Sequence, residues 1–227
     1  MVLAAGRGER MRPLTDSVPK PLLSVGGKAV VFWQLERLAQ AGFRRVVINH
    51  AHLARMIETV VGDGARWGLE VTYSAEPEAL ESAGGIRQAL PLIRADCFAV
   101  VNGDVYTDFD YRHLSDRIDA MQAHPGVLAH LVLVDNPHHH PGGDFFFESG
   151  RLLETGTHKL TFSGIGAYRS ELFERLVAGA KHRLAPLLTE AISSGRATGE
   201  YHRGLWFDVG TPQRLAQLDA MLTGRQG

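Results

Sequence analysis

Apolar residues in this chain fall into two rhythms that alternate along its first half. Short runs rich in Val, Ile and Leu at 46–48, 69–73 and 98–101 read as strands buried on both faces. Between them, 29–41 carries Val31, Phe32, Leu35, Leu38 and Ala39 at helical spacing, with Gly42 as its C-cap, and 53–61 is a second amphipathic helix closed by Gly62, Asp63 and Gly64. Gly26 and Gly27 mark a turn, and Gly84 and Gly85 open a third helix expected over 86–92. The second half is less regular. It predicts a helix at 110–123, a strand at 128–134 and a hairpin of 145–147 with 151–153 around Ser149 and Gly150. A strand follows at 161–168 with Gly164 and Gly166 inside it, then helices at 170–177 and 183–193 and a strand at 204–209. A last helix has Thr211 as its cap and Pro212 at its first position.

Strands alternating with helices give an α/β fold, a Rossmann-like three-layer sandwich on a mostly parallel mixed central sheet. Ligands of such sheets sit beyond the carboxyl ends of the strands. With 227 residues the chain suits one domain spanning 1–227. Its opening strand is short, or a few upstream strand residues are missing. Net charge is −1, which gives no global field for nucleic acid or membrane. One cysteine, Cys97, excludes an internal disulfide framework, and its apolar run makes it a buried, inert thiol. No run is long enough to span a bilayer and no signal segment opens the chain, so the expected compartment is the cytoplasm. Monomer and dimer are both left open.

The first strand runs into Leu3, Ala4, Ala5, Gly6, Arg7, Gly8, Glu9, Arg10, Met11, Arg12, Pro13, Leu14 and Thr15, and Lys20 follows between Pro19 and Pro21. Two glycines let the backbone approach a ligand, and successive N–H groups make an anion-binding concavity. Three arginines and a lysine supply charge for phosphate oxygens. This is a triphosphate cradle, though neither a P-loop nor a dinucleotide fingerprint, which excludes a redox Rossmann protein. Asp104 and Asp208 each follow an apolar strand, in N-G-D and D-V-G-T. A carboxylate pair facing a triphosphate suits Mg²⁺, which takes hard oxygen ligands. Each aspartate alone would read as a turn residue. Arg12 fits a phosphate auxiliary, as Arg7 does, or a structural salt bridge. No Ser-His-Asp or Cys-His arrangement appears.

The run L-A-A-G-x-G-x-R-M-x-P-L-T followed by P-K-P resembles, at every fixed position, the signature of the sugar-1-phosphate nucleotidylyltransferases. The resemblance implies a nucleotide-diphospho-sugar transferase fold of GT-A-like form. It also implies Mg²⁺-dependent attack of a sugar 1-phosphate on the α-phosphorus of a nucleoside triphosphate, with loss of pyrophosphate. It places Leu3, Ala4, Ala5, Gly6, Gly8, Glu9, Arg10, Gly85, Asn102 and Gly103 around the nucleotide and Mg²⁺ on Asp104 and Asp208. Arg10, Lys20 and Asp104 become the catalytic set, with Arg10 on the leaving pyrophosphate and Lys20 bridging the sugar phosphate and the α-phosphate. In the family, the segment from Glu81 to Ile86 reads the base through a backbone N–H near Gly85. From residues alone it is equally a helix start, and uracil and guanine are not separated.

Composition turns near 136–143, dividing a nucleotide half (about 1–135) from a sugar half (about 136–227). The E-K-P motif of many relatives is absent. Instead D-N-P-x-H-H, G-D-F and T-F-S-G-I, with V-I-N-H-A and V-N-G-D-V, resemble the N-acetylmuramate-1-phosphate uridylyltransferases of bacterial cell-wall recycling. Gly143, Asp144, Ser163 and Gly164 are then expected in the sugar pocket. His138, His139 and His140 invite a metal reading, but adjacent residues rarely face one centre, and a polar loop at the sugar mouth is expected. Trp33, Trp67 and Trp206 are expected as packing residues. Two rivals stand: a mannose-1-phosphate guanylyltransferase or other hexose-1-phosphate enzyme, and a non-catalytic nucleotide-sugar-binding regulator.

Overall fold

A computed structural model describes residues 1–148 and 150–224; Ser149, in the predicted hairpin, lies outside the described residues. Strand β1 (Val2–Leu3) leads into the glycine-arginine loop and helix α1 (Leu14–Ser17). Strands β2 (Ser24–Val25) and β3 (Lys28–Ala29) form a hairpin that turns at Gly26 and Gly27, whose φ values of +58° and +80° suit a two-residue hairpin turn. Then come α2 (Val30–Gln40), β4 (Arg45–His50), α3 (Ala54–Val61), β5 (Glu70–Ala75), α4 (Glu81–Ile93) and β6 (Cys97–Asn102). The remainder is β7 (Val105–Thr107), α5 (Arg112–Ala123), β8 (Ala129–Val134), β9 (Phe145–Glu148), β10 (Arg151–Leu153), β11 (Lys159–Arg169), α6 (Glu171–Glu174), α7 (Leu184–Ser193), β12 (Ala197–Tyr201), β13 (Trp206–Asp208) and α8 (Pro212–Thr223).

The central sheet is mixed. Strands β5, β4, β1 and β6 are parallel, as the βαβ rhythm requires. Strand β11 then joins antiparallel to β6 through its second half, and β8 and the parallel β12 follow on its far side. The first two residues of β11 pair with the β9–β10 hairpin. A bulge between Phe162 and Ile165 separates the two parts.

Alternate residues of each strand feed opposite layers. Val46, Ile48, Ala99 and Val101 pack with Leu35 and Leu38 of α2, Ile57 of α3 and Leu114 of α5. Val47, Phe98 and Val100 pack with Ile86 of α4, Phe173 of α6 and Leu188 of α7. Truncating a fully buried residue such as Leu35 costs about 2–5 kcal/mol. A third cluster joins α8 (Leu218, Leu222) to Val25, Val30, Tyr106 and Val209, fastening the C-terminal helix near the first loop. Helix α2 ends as predicted at Gly42 (φ +90°), where Gly42 N–H bonds Ala39 O at 3.0 Å and Phe43 N–H bonds Leu38 O at 3.1 Å. Cys97 is buried, and burial pushes its thiol pKa up.

The elements differ from expectation at several points, the short α1, β2 and β3 among them. Helix α4 starts at Glu81, so Gly84 and Gly85 lie inside it rather than before it. They are there for packing: a Cβ on Gly84 would stand 2.4 Å from Ala180 O. The helix expected at 170–177 is the single turn Glu171–Glu174, and Val177 beyond it is exposed. Strands β7 and β12 were not anticipated. None of the described helices is long and apolar enough to cross a membrane.

Candidate active site

Two cavities meet at the carboxyl edge of the parallel strands. The first, of about 360 Å³, is lined by Leu3, Ala4, Ala5, Gly6 and Gly8 of the first loop, by Lys20 and Pro21, and by Asn49, Glu76 and the start of α4. Asn102 and Asp104 form its floor and also line the second cavity. The loop holds its shape through internal bonds: Met11 N–H and the Thr15 hydroxyl both donate to Gly8 O at 2.9 Å. Gly8 has φ +70°, and a Cβ there would press on Thr15 Cγ2 at 3.0 Å and Lys20 Cβ at 3.3 Å.

The arginines of the loop divide. Arg7 donates to Thr15 O at 2.6 Å and to Asp16 at 2.7 Å, and Arg12 donates to Asp16 at 2.8 Å. These hydrogen bonds pull the exposed Asp16 carboxyl below its ordinary pKa. Arg12 thus takes the salt-bridge reading, and Arg7 braces the loop with it. Glu9 lies between them, 3.9 Å from Arg7 and 3.6 Å from Arg12, and lines neither cavity. Arg10 alone of the three arginines faces a cavity, the second one. Gly103 is behind the floor, its N–H bonded to Leu3 O at 2.8 Å.

The second cavity, of about 410 Å³, is enclosed by Arg10, His139, His140, Asp144, residues 161–164 of β11, Trp206 and Asp208. Asp208 stands opposite Val105 on the β7–β13 ribbon, and Val209 N–H donates to Asp104 O at 2.8 Å, so the ribbon fixes the two aspartates side by side. Each carboxylate has a cation. Lys20 Nζ donates to Asp104, and Arg214 Nη1 donates to Asp208 Oδ1 at 2.7 Å. Arg214 comes from the first turn of α8, which the Thr211 hydroxyl caps by accepting Arg214 N–H at 3.3 Å. Gly210 leaves room for that guanidinium: a Cβ there would be 1.9 Å from Arg214 Nη2.

The three histidines go separate ways. His139 Nε2 contacts Arg214 Nη1 and lies 3.2 Å from Asp208 Oδ1. A guanidinium only donates, so its contact with Nε2 favours the neutral ring. Burial, with the charges of Arg214 and Arg10, lowers the His139 pKa against the pull of Asp208. His140 bonds Asp144 at 3.0 Å, whose other oxygen accepts Phe162 N–H at 2.8 Å. His138 is an exposed loop residue. Among the described residues, no group of three or more His, Cys, Asp or Glu could hold a metal ion. Asp104 and Asp208 nevertheless fit a magnesium ion that completes its shell with phosphate oxygens and water.

Of the expected sugar residues, Asp144, Ser163 and Gly164 line this cavity, while Gly143 (φ +61°) is a turn packed on Asn136 and Lys159. Ser163 offers backbone only, since its hydroxyl donates to Val132 O at 2.7 Å. Its carbonyl accepts Trp206 Nε1–H at 2.9 Å, so Trp206 packs and lines the cavity at once. His139 and His140 line the second cavity, in the polar loop expected at its mouth, whereas Asn49, Glu76 and Arg214 were not singled out from sequence as site residues. Asn49 and Glu76 carried one signal, being polar residues at the carboxyl end of a strand.

A model of the family described as nucleotidyl transferase matches residues 1–141. An N-acetylmuramate alpha-1-phosphate uridylyltransferase of Neisseria meningitidis serogroup B is 51% identical over 97% of this chain and 96% of its own length. Its counterpart from Caulobacter vibrioides is 31% identical over 98% and 96%. Among solved structures, a Bacillus anthracis protein assigned as a glucose-1-phosphate thymidylyltransferase superposes with a TM-score of 0.85 at 20% identity, covering 97% of this chain and 93% of that one. HddC from Yersinia pseudotuberculosis, complexed with GMP-PN, gives 0.74 at 20% identity, with 97% of each chain covered. The solved structures share the fold; the family model and the two full-length relatives place this chain in the nucleotidyl transferase family.

Proposed function

We propose that this protein transfers the uridylyl group of UTP to N-acetylmuramic acid 1-phosphate, giving UDP-N-acetylmuramate and pyrophosphate. The observation that carries the reading is the 51% identity to the Neisseria uridylyltransferase, which extends over 97% of the chain and therefore through the second cavity as well as the first. Mannose-1-phosphate guanyltransferases match more weakly; that of Saccharomyces cerevisiae is 34% identical and matched over 61% of its length.

The triphosphate takes the first cavity and the sugar phosphate the second, with the α-phosphorus above Asn102 and Asp104. The attacking group is a phosphate oxygen already ionised at neutral pH, so no general base is needed. A sugar-phosphate oxygen bonds to the α-phosphorus as the bond from that phosphorus to the α–β bridging oxygen breaks, and that oxygen leaves with the pyrophosphate. The obstacle is charge, and catalysis rests on positioning and electrostatics. Backbone N–H groups of Gly6 and Gly8 cradle the triphosphate. Lys20 neutralises the meeting phosphates, and Arg10, reaching the shared floor from the second cavity, stabilises the departing pyrophosphate. Asp104 and Asp208 would hold Mg²⁺, which when bound would offset phosphate charge. Residues 1–227 act as one domain of two halves that share the floor at Asn102 and Asp104, and its place is the cytoplasm.

The test is pyrophosphate release from UTP with N-acetylmuramic acid 1-phosphate, with and without Mg²⁺, beside GTP with mannose 1-phosphate. Metal-dependent release from the first pair is expected. Release from the second pair alone would refute the assignment of base and sugar.

A further inference from the structure

One buried polar chain crosses the wall of the first cavity and takes no part in the chemistry above. Ala4 N–H, in the glycine-arginine loop, donates to Asn49 Oδ1 at 2.8 Å. Asn49 Nδ2 donates to Glu76 Oε1 at 2.6 Å, and Leu80 N–H donates to Glu76 Oε2 at 2.9 Å. Asn49 and Glu76 are 3% and 5% exposed, so water cannot replace these bonds. The packing around them admits nothing more: a Cβ on Gly85 would lie 2.7 Å from both Asn49 Nδ2 and Glu76 Oε1. Burial raises the Glu76 pKa, while the Asn49 and Leu80 donors oppose that rise by favouring the ionised carboxylate.

The chain has a direction. The two ends are backbone donors on opposite walls, one in the loop after β1 and one at the start of α4. Between them stand an amide that accepts and then donates, and a carboxylate that accepts twice. We propose that Asn49 and Glu76 are positioning residues that hold these two walls at the separation the nucleotide requires, acting on the triphosphate and not on the sugar phosphate. This rests on the reading that the first cavity takes the nucleoside triphosphate. Gly85 serves the pair from beneath, which gives that glycine a reason independent of any contact with the base.

Direction makes the inference testable by exchange. N49D puts two carboxylates at hydrogen-bond distance, and E76Q turns an amide donor against either Asn49 Nδ2 or Leu80 N–H. The double variant N49D/E76Q satisfies every group again: the introduced carboxylate accepts Ala4 N–H and the glutamine amide, and the glutamine carbonyl accepts Leu80 N–H. Binding of UTP·Mg²⁺ is measured by calorimetry, and KM for each substrate by pyrophosphate release, with circular dichroism as the check on folding. Each single variant is expected to weaken UTP binding by about tenfold or more, the scale of losing a buried hydrogen bond to a charged group. KM for the sugar phosphate should stay within about twofold, and the double variant should recover UTP binding to within about threefold of the parent.

Folded single variants with parental UTP affinity would overturn the inference. So would a double variant no better than the worse single one, or equal losses for both substrates. If a single variant fails to fold, the double variant alone decides: folded and binding UTP supports the exchange, and folded without binding refutes it. A double variant that also fails to fold refutes it as well. Absence of UTP binding by the parent protein would instead refute the nucleotide reading itself, and the inference with it.

Discussion

Gly164 offers a perturbation whose size follows from coordinates. It sits at the β11 bulge with φ +77°, and a Cβ built on it would lie 2.4 Å from Asn102 Nδ2 and 2.7 Å from Asn102 Cγ. Gly164→Ala therefore carries two costs. The left-handed backbone costs an L-residue about 1–2 kcal/mol. Overlap with Asn102 adds about 1–3 kcal/mol, the usual range for forced overpacking. Gly27 is the matched control, with φ +80° and nothing within 4 Å of its built Cβ, so Gly27→Ala bears the first cost alone. At roughly 2–4 °C per kcal/mol for a chain of this size, Gly164→Ala should melt about 4–20 °C below the parent and clearly below Gly27→Ala. Because Asn102 lines both cavities, the same variant should lose turnover. Scanning calorimetry of Gly164→Ala, Asn102→Ala and their double variant isolates the overlap, which should appear as a favourable coupling of about 1–3 kcal/mol. Additive losses, or a Gly164→Ala melting point equal to that of Gly27→Ala, would refute the reasoning.

Asp104→Asn keeps the shape of the floor but removes a carboxylate, so turnover should drop by at least about 10²-fold while the circular dichroism spectrum is kept; near-parental turnover at saturating Mg²⁺ would count against the metal assignment. Gly210→Ala should drive the Arg214 guanidinium off Asp208, since its Cβ would fall 1.9 Å from Nη2; a crystal structure of the variant that retains the 2.7 Å contact would contradict this. Burial alone would raise the Glu200 pKa, but the hydrogen bond and charge of His130, with His113 beyond, bring it below the ordinary value. A carboxyl with a depressed folded-state pKa contributes stability above its unfolded value, near 4.3, and loses it as pH falls through the folded one. Glu200→Gln should thus flatten the acid limb of the stability curve below about pH 4.3, and an unchanged acid limb in urea titrations would exclude the contribution.

Much of this was legible because single residues carried strong local rules. Gly42 needed a left-handed C′ position, Thr211 and Pro212 announced a helix start, and the loop from Leu3 to Thr15 had a signature at every fixed position. The parts that escaped depend on partners distant in sequence. Strand β12 has no strong apolar alternation of its own, because it is an outer strand defined by its ladder with β8. Gly84 and Gly85 read as a helix opening because glycine is a weak helix former. Only the approach of Ala180 O, Asn49 and Glu76 shows why they lie within α4. Arg214 gave no signal at all: it sits six residues after Asp208, and only the start of α8 turns it back to that carboxylate.

Strand β11 has a consequence for how this protein can be recombined. The stretch matched by the family model stops at residue 141, yet β6 within that stretch is covered on one side by Ile165 to Arg169. The same strand carries Ser163 and Gly164 to the second cavity. A chimera that kept the first 141 residues and borrowed the rest would have to import a strand complementary to β6 together with the residues that strand presents to the second cavity. Part of the lining of the second cavity and completion of the sheet are thus written into one segment and are exchanged together, with the junction best cut in the exposed loop before β9 and never inside β11.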